Sequence, residues 1–163
     1  MSPDHDPTAV YEHRQWGWVG VVIAAVIVGV LVLAAGISGN SQVYAGALTA
    51  AVVGVIVTAI FGALRVHVTD DEVSVSFLLG WPRRTVGFTD VAAVRQVRNS
   101  WWHGWGYRFI PNGRMFNVSG LDAVELELTT GKVFRIGTDD PSGLMAAFAR
   151  VLPDRTESDA AGR

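Results

Sequence analysis

The sequence predicts two membrane-crossing helices followed by a mainly β domain of about seven short antiparallel strands and a C-terminal helix. Three observations predict this fold class. The segment between Arg14 and Arg65 contains no Asp, Glu, Lys or Arg, short runs of alternating apolar and polar residues follow it, and the last apolar run repeats at helical spacing. Because globular domains average about one charged residue in four, the uncharged segment is typical of a membrane protein.

The uncharged segment divides into two apolar runs, 16–37 and 44–64, on either side of the polar hinge 38–42. Each run would be about 30 Å long as a helix, which matches the hydrocarbon thickness of a bilayer. A cleaved signal peptide is the alternative for the first run. However, residues 1–15 carry three acids against Arg14, whereas a signal peptide begins with a positive segment. We therefore expect a transmembrane hairpin over 16–64, preceded by an N-terminal tail over 1–15.

The basic residues nearest the helix ends predict the orientation. Arg14 precedes the first helix, Arg65 follows the second, and the hinge has neither Lys nor Arg. Since Lys and Arg are retained preferentially on the cytoplasmic side, we expect both termini in the cytoplasm. Arginine makes up all but one of the 13 basic residues, a composition associated with GC-rich bacterial genomes. The expected location is therefore the plasma (inner) membrane of a bacterium, with a multi-pass topology.

The second helix carries a stripe of small residues at every fourth position. Its members are Gly46, Ala50, Gly54, Thr58 and Gly62. Such a stripe lets another helix backbone approach closely. The partner is either the first helix, where Ala25 and Gly29 offer a similar register, or a second copy of the chain in a homodimer. Neither run contains an ionisable group of the kind that a proton relay or ion pathway needs.

From Arg65 onward the apolar residues repeat with a period of two, which indicates strands with one buried face. The first two strands lie on either side of the acidic turn Asp70-Asp71-Glu72. Further strands are expected over 83–88, 91–97, 107–110 and 114–118, with a hairpin over 124–136. In that hairpin Glu125 or Glu127 can lie opposite Arg135, as a surface ion pair worth a few tenths of a kcal/mol.

A C-terminal helix is predicted after Thr138-Asp139-Asp140-Pro141, in which Thr or Asp can cap the helix and Pro suits its first position. Leu144, Phe148 and Leu152 then lie on one apolar stripe that can pack on the sheet. Pro153 ends the helix. The β domain therefore spans 65–153, and we expect the polar tail 154–163 to be disordered.

The order of strands followed by one helix is that of a bent barrel capped by a helix. The residues that support a resemblance are Val73 to Leu79, Phe88-Thr89-Asp90-Val91, Ala123-Val124-Glu125-Leu126, Phe134 to Pro141, and Leu144. With them the chain resembles the small bacterial membrane proteins in which a transmembrane hairpin precedes a pleckstrin-homology-like (PH-like) domain. Phosphoinositide-binding members of that superfamily hold the headgroup with basic residues around the first hairpin loop. Here the loop is Asp70-Asp71-Glu72, so the resemblance does not imply that ligand.

Between Arg83 and Arg114 the only acid is Asp90, and tryptophans are interleaved with arginines. The candidate contact residues are Arg83, Arg84, Arg95, Arg98, Trp101, Trp102, Trp105, Arg108 and Arg114. Arginine is attracted to the anionic cytoplasmic leaflet and Trp partitions to the membrane interface. We expect these residues to form a surface for the lipid bilayer or an acidic protein partner. The alternative is that the arginines are scattered over both faces and the tryptophans cover one end of the barrel.

No motif indicates catalysis. His67 and His103 have no carboxylate at a spacing typical of acid-base chemistry or metal ligation, so no catalytic residue, metal or cofactor is predicted. The balance of 13 basic to 15 acidic residues argues against a nucleic-acid partner. Two hypotheses remain. The first is a non-enzymatic membrane protein that presents a cytoplasmic PH-like module to a protein or to the inner leaflet. The second is an accessory subunit of a larger transporter, secretion or envelope complex that docks through its transmembrane hairpin.

Overall fold

The structure, a computed structural model, describes residues 9–99, 106–118 and 120–157. Two helices, α1 (Trp18–Ser38) and α2 (Ser41–Phe61), are long and apolar enough to cross a membrane, which supports a membrane location. The predicted spans were 16–37 and 44–64, so the observed helix ends differ from the predicted ones by one to three residues. The second helix begins earlier because the Asn40 side chain accepts a hydrogen bond from the backbone N–H of Gln42 and caps it. It ends earlier because the residues after Gly62 join a strand.

The two helices are inserted between two paired strands. Strand β1 (Tyr11–Trp16) runs antiparallel to β2 (Ala63–Val68), so that Trp16 lies opposite Ala63 next to the helices. All of this strand but Trp16 lies in the predicted tail 1–15, and the strand was not expected, because its residues are all polar or aromatic and do not alternate clearly. Residues 1–8 of that predicted tail lie outside the described residues.

The strands form two sheets. The first contains β1, β2, β3 (Glu72–Phe77) and β4 (Arg83–Gly87) in that order, all antiparallel. The second contains β5 (Val91–Arg98), β6 (Gly106–Ile110), β7 (Gly113–Asn117), β8 (Asp122–Leu128) and β9 (Val133–Gly137) in the order β5-β8-β9-β7-β6. A two-residue strand, β10 (Thr156–Glu157), pairs with β5 at its edge. Of the tail predicted to be disordered, 154–163, the structure describes 154–157, and residues 158–163 lie outside the described residues.

The strand arrangement corrects the expectation of a closed barrel of about seven antiparallel strands. Strand β8 pairs with β5, so the hairpin places β9 between β8 and β7, where it runs parallel to β7. The close approach of β7 to β9 requires glycine at position 113, since a Cβ there would overlap the carbonyl oxygen of Val133. Strands β4 and β6 are edges of different sheets and do not pair. What the structure has is a mainly β domain with an open cleft between these two edges.

The C-terminal helix α3 (Pro141–Val151) packs on β5 and β8. Its predicted start is confirmed, because Asp140 caps it by accepting a hydrogen bond from the Gly143 N–H at 2.9 Å, with Pro141 in the first turn. Leu144 and Phe148 are fully buried. The helix thus covers the apolar face of the second sheet.

Aromatic rings join the hairpin to the β core. Phe61 at the end of α2 packs edge-on against Phe77, with ring centres 5.0 Å apart. Phe77 in turn stacks on Phe116 at 5.3 Å. At the start of α1, the N–H of Gly17 donates to the carbonyl oxygen of Gly62 at 2.8 Å. A Cβ on Gly17 would lie only 2.8 Å from the carbonyl oxygen of Val118. The helix ends and both sheets are therefore in direct contact.

Candidate functional site

The strand registers define which end of the first sheet lies next to the helices. Leu64, which follows α2 closely, pairs with Phe77, so the β3–β4 turn at 78–82 lies at the helix-proximal end. Val68 pairs with Val73, which places the acidic turn Asp70-Asp71-Glu72 at the opposite end. The length of a six-residue strand, roughly 20 Å, separates the two turns. The carboxylates of the acidic turn are thus held away from the helices.

A row of arginines crosses the helix-proximal half of the first sheet. Arg14 lies directly opposite Arg65 across β1 and β2, although like charges in opposed positions destabilise a sheet. The same row continues through Ser76 to Arg83 on β4. In the part of the chain that the structure describes, none of these three arginines forms an ion pair with a carboxylate. All three residues are exposed, so the row places three positive charges on the surface of the sheet.

A cavity of about 750 Å³ lies where the hairpin meets the cleft between the sheets. Its apolar wall is formed by the first turns of α1, from Gly17 to Ala24, and by the last turn of α2, from Val57 to Gly62. The opposite wall is formed by the β3–β4 turn together with β6 and β7. This volume is in the range of pockets that bind small molecules. The described residues that line it include Arg83, Arg84, Arg108 and Arg114 and no acid.

Aromatic side chains hold or flank these arginines. The guanidinium of Arg114 lies 5.9 Å from the ring centre of Tyr107 and 5.5 Å from that of Phe109, within cation–π range. Trp81, which lines the cavity, is 70% exposed, and Leu79 in the same turn is 67% exposed. Exposed apolar side chains at a turn next to long apolar helices are typical of an interfacial contact. Trp16 and Trp18 are also exposed at the helix base.

Arg95 does not belong to this surface. Its Nε and Nη2 donate to Oε1 of Glu125 at 2.9 and 2.6 Å, and Arg135 donates from Nε at 3.0 Å and from Nη2 to Oε2 of the same carboxylate. The expected pairing of Glu125 with Arg135 is present, but Glu125 is buried and not a surface residue. Burial raises the pKa of Glu125, and the hydrogen bonds from Arg135 and Arg95 outweigh it and hold that pKa below the ordinary value.

The remaining predicted contact residues are separated from the cavity. Arg98 is exposed at the end of β5, opposite Asp122 on β8, and does not line the cavity. Trp101, Trp102 and Trp105 lie outside the described residues. Four of the six predicted arginines therefore converge on one cavity. Arg14 and Arg65 do not line the cavity, and their juxtaposition was not predicted, because the pairing of β1 with β2 brings these two together across a long sequence separation.

The residues of the small-residue stripe of α2 differ in how far they are buried. Ala50, Gly54 and Thr58 are half-buried, and a Cβ on Gly54 would lie 3.7 Å from Cγ2 of Val28 on α1. Gly46 has open space around its Cα, and the buried residue at that level is Ala47. Gly62 follows the end of α2 and lines the cavity with Thr58. On α1, Ala25 and Gly29 are exposed, and Val21, Ala24 and Val28 are half-buried instead.

Strand β1 also holds the segment before α3, a role that no sequence pattern indicates. Gln15 is buried, donates to the carbonyl oxygen of Gly137 at 2.5 Å and accepts from the Asp139 N–H at 3.0 Å. Two residues earlier, His13 Nε2 lies 2.5 Å from Asp139 Oδ1. Tyr11 donates to Asp140, and burial together with that carboxylate raises the pKa of the Tyr11 hydroxyl. Tyr11, His13 and Gln15 alternate along β1 and so share one face.

Within the described residues no group of three or more His, Asp or Glu side chains could hold a metal ion. No protein-family model matches the chain, and no curated protein or solved structure does either. The class that the structure defines is a chain with two apolar helices long enough to cross a membrane and a mainly β domain packed at their base.

Proposed function

We propose that this chain is a non-enzymatic membrane protein whose β domain lies against the inner leaflet and presents a basic face to it. The single observation that supports this proposal most strongly is the distribution of charge along the first sheet. Its helix-proximal half carries the row Arg14, Arg65 and Arg83, and its far end carries the acidic turn 70–72. Each arginine near an anionic leaflet contributes about 1 kcal/mol to binding, whereas carboxylates are repelled.

The connection between hairpin and domain supports the same proposal. Because β1 and β2 pair up to the first residues of the hairpin, both flanks of the hairpin are on one side of the membrane when the helices cross it. Basic flanking residues favour the cytoplasmic side. The proposed location is accordingly the inner membrane of a bacterium, with both termini in the cytoplasm. An acidic protein at the membrane surface is the second candidate for the same basic face.

A PH-like identity for the β domain is part of the proposal. The β8–β9 hairpin followed directly by a capped helix that packs on the sheet supports it. The open cleft and the parallel β7–β9 pair set this domain apart from a seven-strand antiparallel barrel. Docking of the hairpin on a larger complex has less support, because Ala50, Gly54 and Thr58 are partly covered within the chain and Gly54 faces α1.

Spin labelling of the full chain in nanodiscs tests the leaflet contact. The chain contains no cysteine, so Leu79→Cys and Asp71→Cys each give a single labelling site. Both positions are exposed, one in the helix-proximal turn and one in the far turn, which makes them matched controls. With a nickel chelate attached to lipid headgroups, we expect strong relaxation of the label at position 79 and little at position 71. Equal, weak relaxation at both positions would contradict the proposal.

A further inference from the structure

We propose that the cavity at the hairpin base binds one anionic phospholipid from the leaflet, with its phosphate on the rim arginines and the upper part of an acyl chain along α1 and α2. The inference depends on the proposed function, because the β domain must lie against the leaflet for a lipid to enter. The site differs from the first hairpin loop, Asp70-Asp71-Glu72, which lies at the far end of the sheet.

The apolar wall indicates where the occupant comes from. Gly20, Val21, Ala24 and Val57 belong to the helices that are long enough to cross the bilayer. Ala24 is six residues beyond the start of α1 at Trp18, or about 9 Å along the helix axis. The cavity therefore extends from the helix base to the depth at which acyl chains begin. A water-soluble anion would leave this apolar wall uncovered, whereas the acyl chain of a lipid covers it.

The opposite wall indicates the charge of the occupant. Arg83, Arg84 and Arg114 line it, and guanidinium groups bind phosphate through paired hydrogen bonds. The rings of Tyr107 and Phe109 already hold Arg114 in place, so less side-chain freedom is lost when an anion binds. Trp81 stands exposed beside these arginines, at the level of the lipid headgroups.

The basic lining continues beyond the first cavity. A second cavity of about 400 Å³ shares Arg84 and Arg114 with the first and adds Lys132 and Asn112. The described residues that line it include no acid. The two cavities therefore adjoin at Arg84 and Arg114 and have a basic lining in common. A glycerophosphate headgroup fits this basic lining better than a zwitterionic one, whose amine would face the arginines.

The test is lipid retention by the full chain, measured by native mass spectrometry after release from detergent micelles containing phosphatidylglycerol, phosphatidylethanolamine or both. The double variant Arg84→Ala/Arg114→Ala removes two of the rim charges. Arg98→Ala is the matched control for an exposed arginine outside the cavity. We expect one retained phosphatidylglycerol on the wild-type chain, retention weakened about 30-fold in the double variant, and no change for Arg98→Ala.

A second pair of variants tests the acyl-chain part of the site. Gly20 lines the cavity and Gly29 faces outward on the same helix. Apart from the chain neighbours and the nearby backbone of α1 itself, a Cβ at either position would meet no atom within 4 Å, so both positions have room for the start of a larger side chain. We expect Gly20→Leu to reduce phosphatidylglycerol retention several-fold and Gly29→Leu to leave it unchanged. Inorganic phosphate at millimolar concentration should not displace the lipid. Displacement by phosphate would assign the site to a soluble anion and overturn the proposal.

Equal retention of the two phospholipids, or an equal loss in Arg98→Ala and the double variant, would also overturn the lipid site. The spin label at position 79 separates this failure from that of the proposed function. If the label contacts the leaflet while no lipid is retained, the proposed lipid site is wrong and the proposed function stands. If the label does not contact the leaflet, the leaflet orientation is wrong as well.

Discussion

The ion-pair cluster around Glu125 gives the sharpest prediction for the stability of the β domain. The change is Glu125→Gln, which keeps the size of the side chain and removes its charge. The side chain of Glu125 is 5% exposed and accepts two hydrogen bonds on each carboxylate oxygen, from Arg95 on Oε1 and from Arg135 on Oε2. In glutamine one of these oxygens is replaced by an amide NH2, which has donors only and therefore opposes one of the two guanidinium groups.

The burial of the cluster determines the size of the effect. The substitution removes two charge-assisted hydrogen bonds, each worth roughly 1.5 to 3 kcal/mol in a buried site. Part of this loss is recovered because the side chain of Arg95 is 46% exposed and can be hydrated, so the net cost is about 3 kcal/mol. For a β domain of this size we expect the melting temperature to fall by roughly 10 to 20 °C. Thermal unfolding of the full chain in detergent, followed by near-ultraviolet circular dichroism, measures it.

The pH dependence of this effect has a definite sign. Since the pKa of Glu125 is lower in the folded protein than its ordinary value of 4.5, the carboxylate stabilises the fold above that pH. The stabilisation is lost as the pH falls through the folded-state pKa. The difference in melting temperature between wild type and Glu125→Gln should therefore be largest at pH 7 and become smaller at acidic pH. Glu127→Gln, half-buried on the same strand, is the control. A melting temperature for Glu125→Gln equal to wild type at pH 7 would refute the reasoning.

Two further predictions concern the hairpin and β1. Gly54→Leu should separate the two helices and lower the melting temperature in detergent, because its Cβ faces Val28, whereas Gly46→Leu should have no effect. Gln15→Ala removes one buried and one partly buried hydrogen bond, each worth about 1 kcal/mol, so amide hydrogen exchange in the segment 137–140 should be faster. Glu12→Ala, exposed on the other face of β1, should leave that exchange unchanged, and equal protection in both variants would contradict the role of Gln15.

The elements with strong local signals could be predicted from sequence. The two apolar helices follow from length and the absence of charge, and α3 follows from its cap, its proline and its apolar stripe. Strand β1 could not be predicted, because its stability comes from pairing with β2 on the far side of the hairpin and from the contacts of Gln15. A polar strand supported by distant partners leaves little periodicity in the sequence.

The residue types of the candidate site could be predicted from the sequence, but their arrangement in space could not. The sequence indicates an excess of arginine over 83–114, and the fold decides which of these side chains meet. Strand register places Arg95 on Glu125, and the cleft between β4 and β6 brings Arg84 and Arg114 together. Sequence spacing alone carries no information about this cleft, because it depends on two sheet edges that do not pair. The wall contributed by α1 is equally hidden, since no local pattern fixes the angle between helix and sheet.

The central claim is that the contacts of Phe61 with Phe77 and of Gly17 with Gly62 fix the β domain against the base of the hairpin, so that its arginines are held at the membrane surface. The most direct test is the distance between spin labels at Gln42→Cys, at the far end of the hairpin, and Asp71→Cys, at the far turn of the sheet, both exposed. The backbone limits this distance to about 60 Å, with about 30 Å along α2 and about 30 Å along residues 62–71 if fully extended. In nanodiscs we predict one narrow distance distribution at or below that limit. A broad distribution would contradict the claim, because it would mean that the domain swings freely on its two connections.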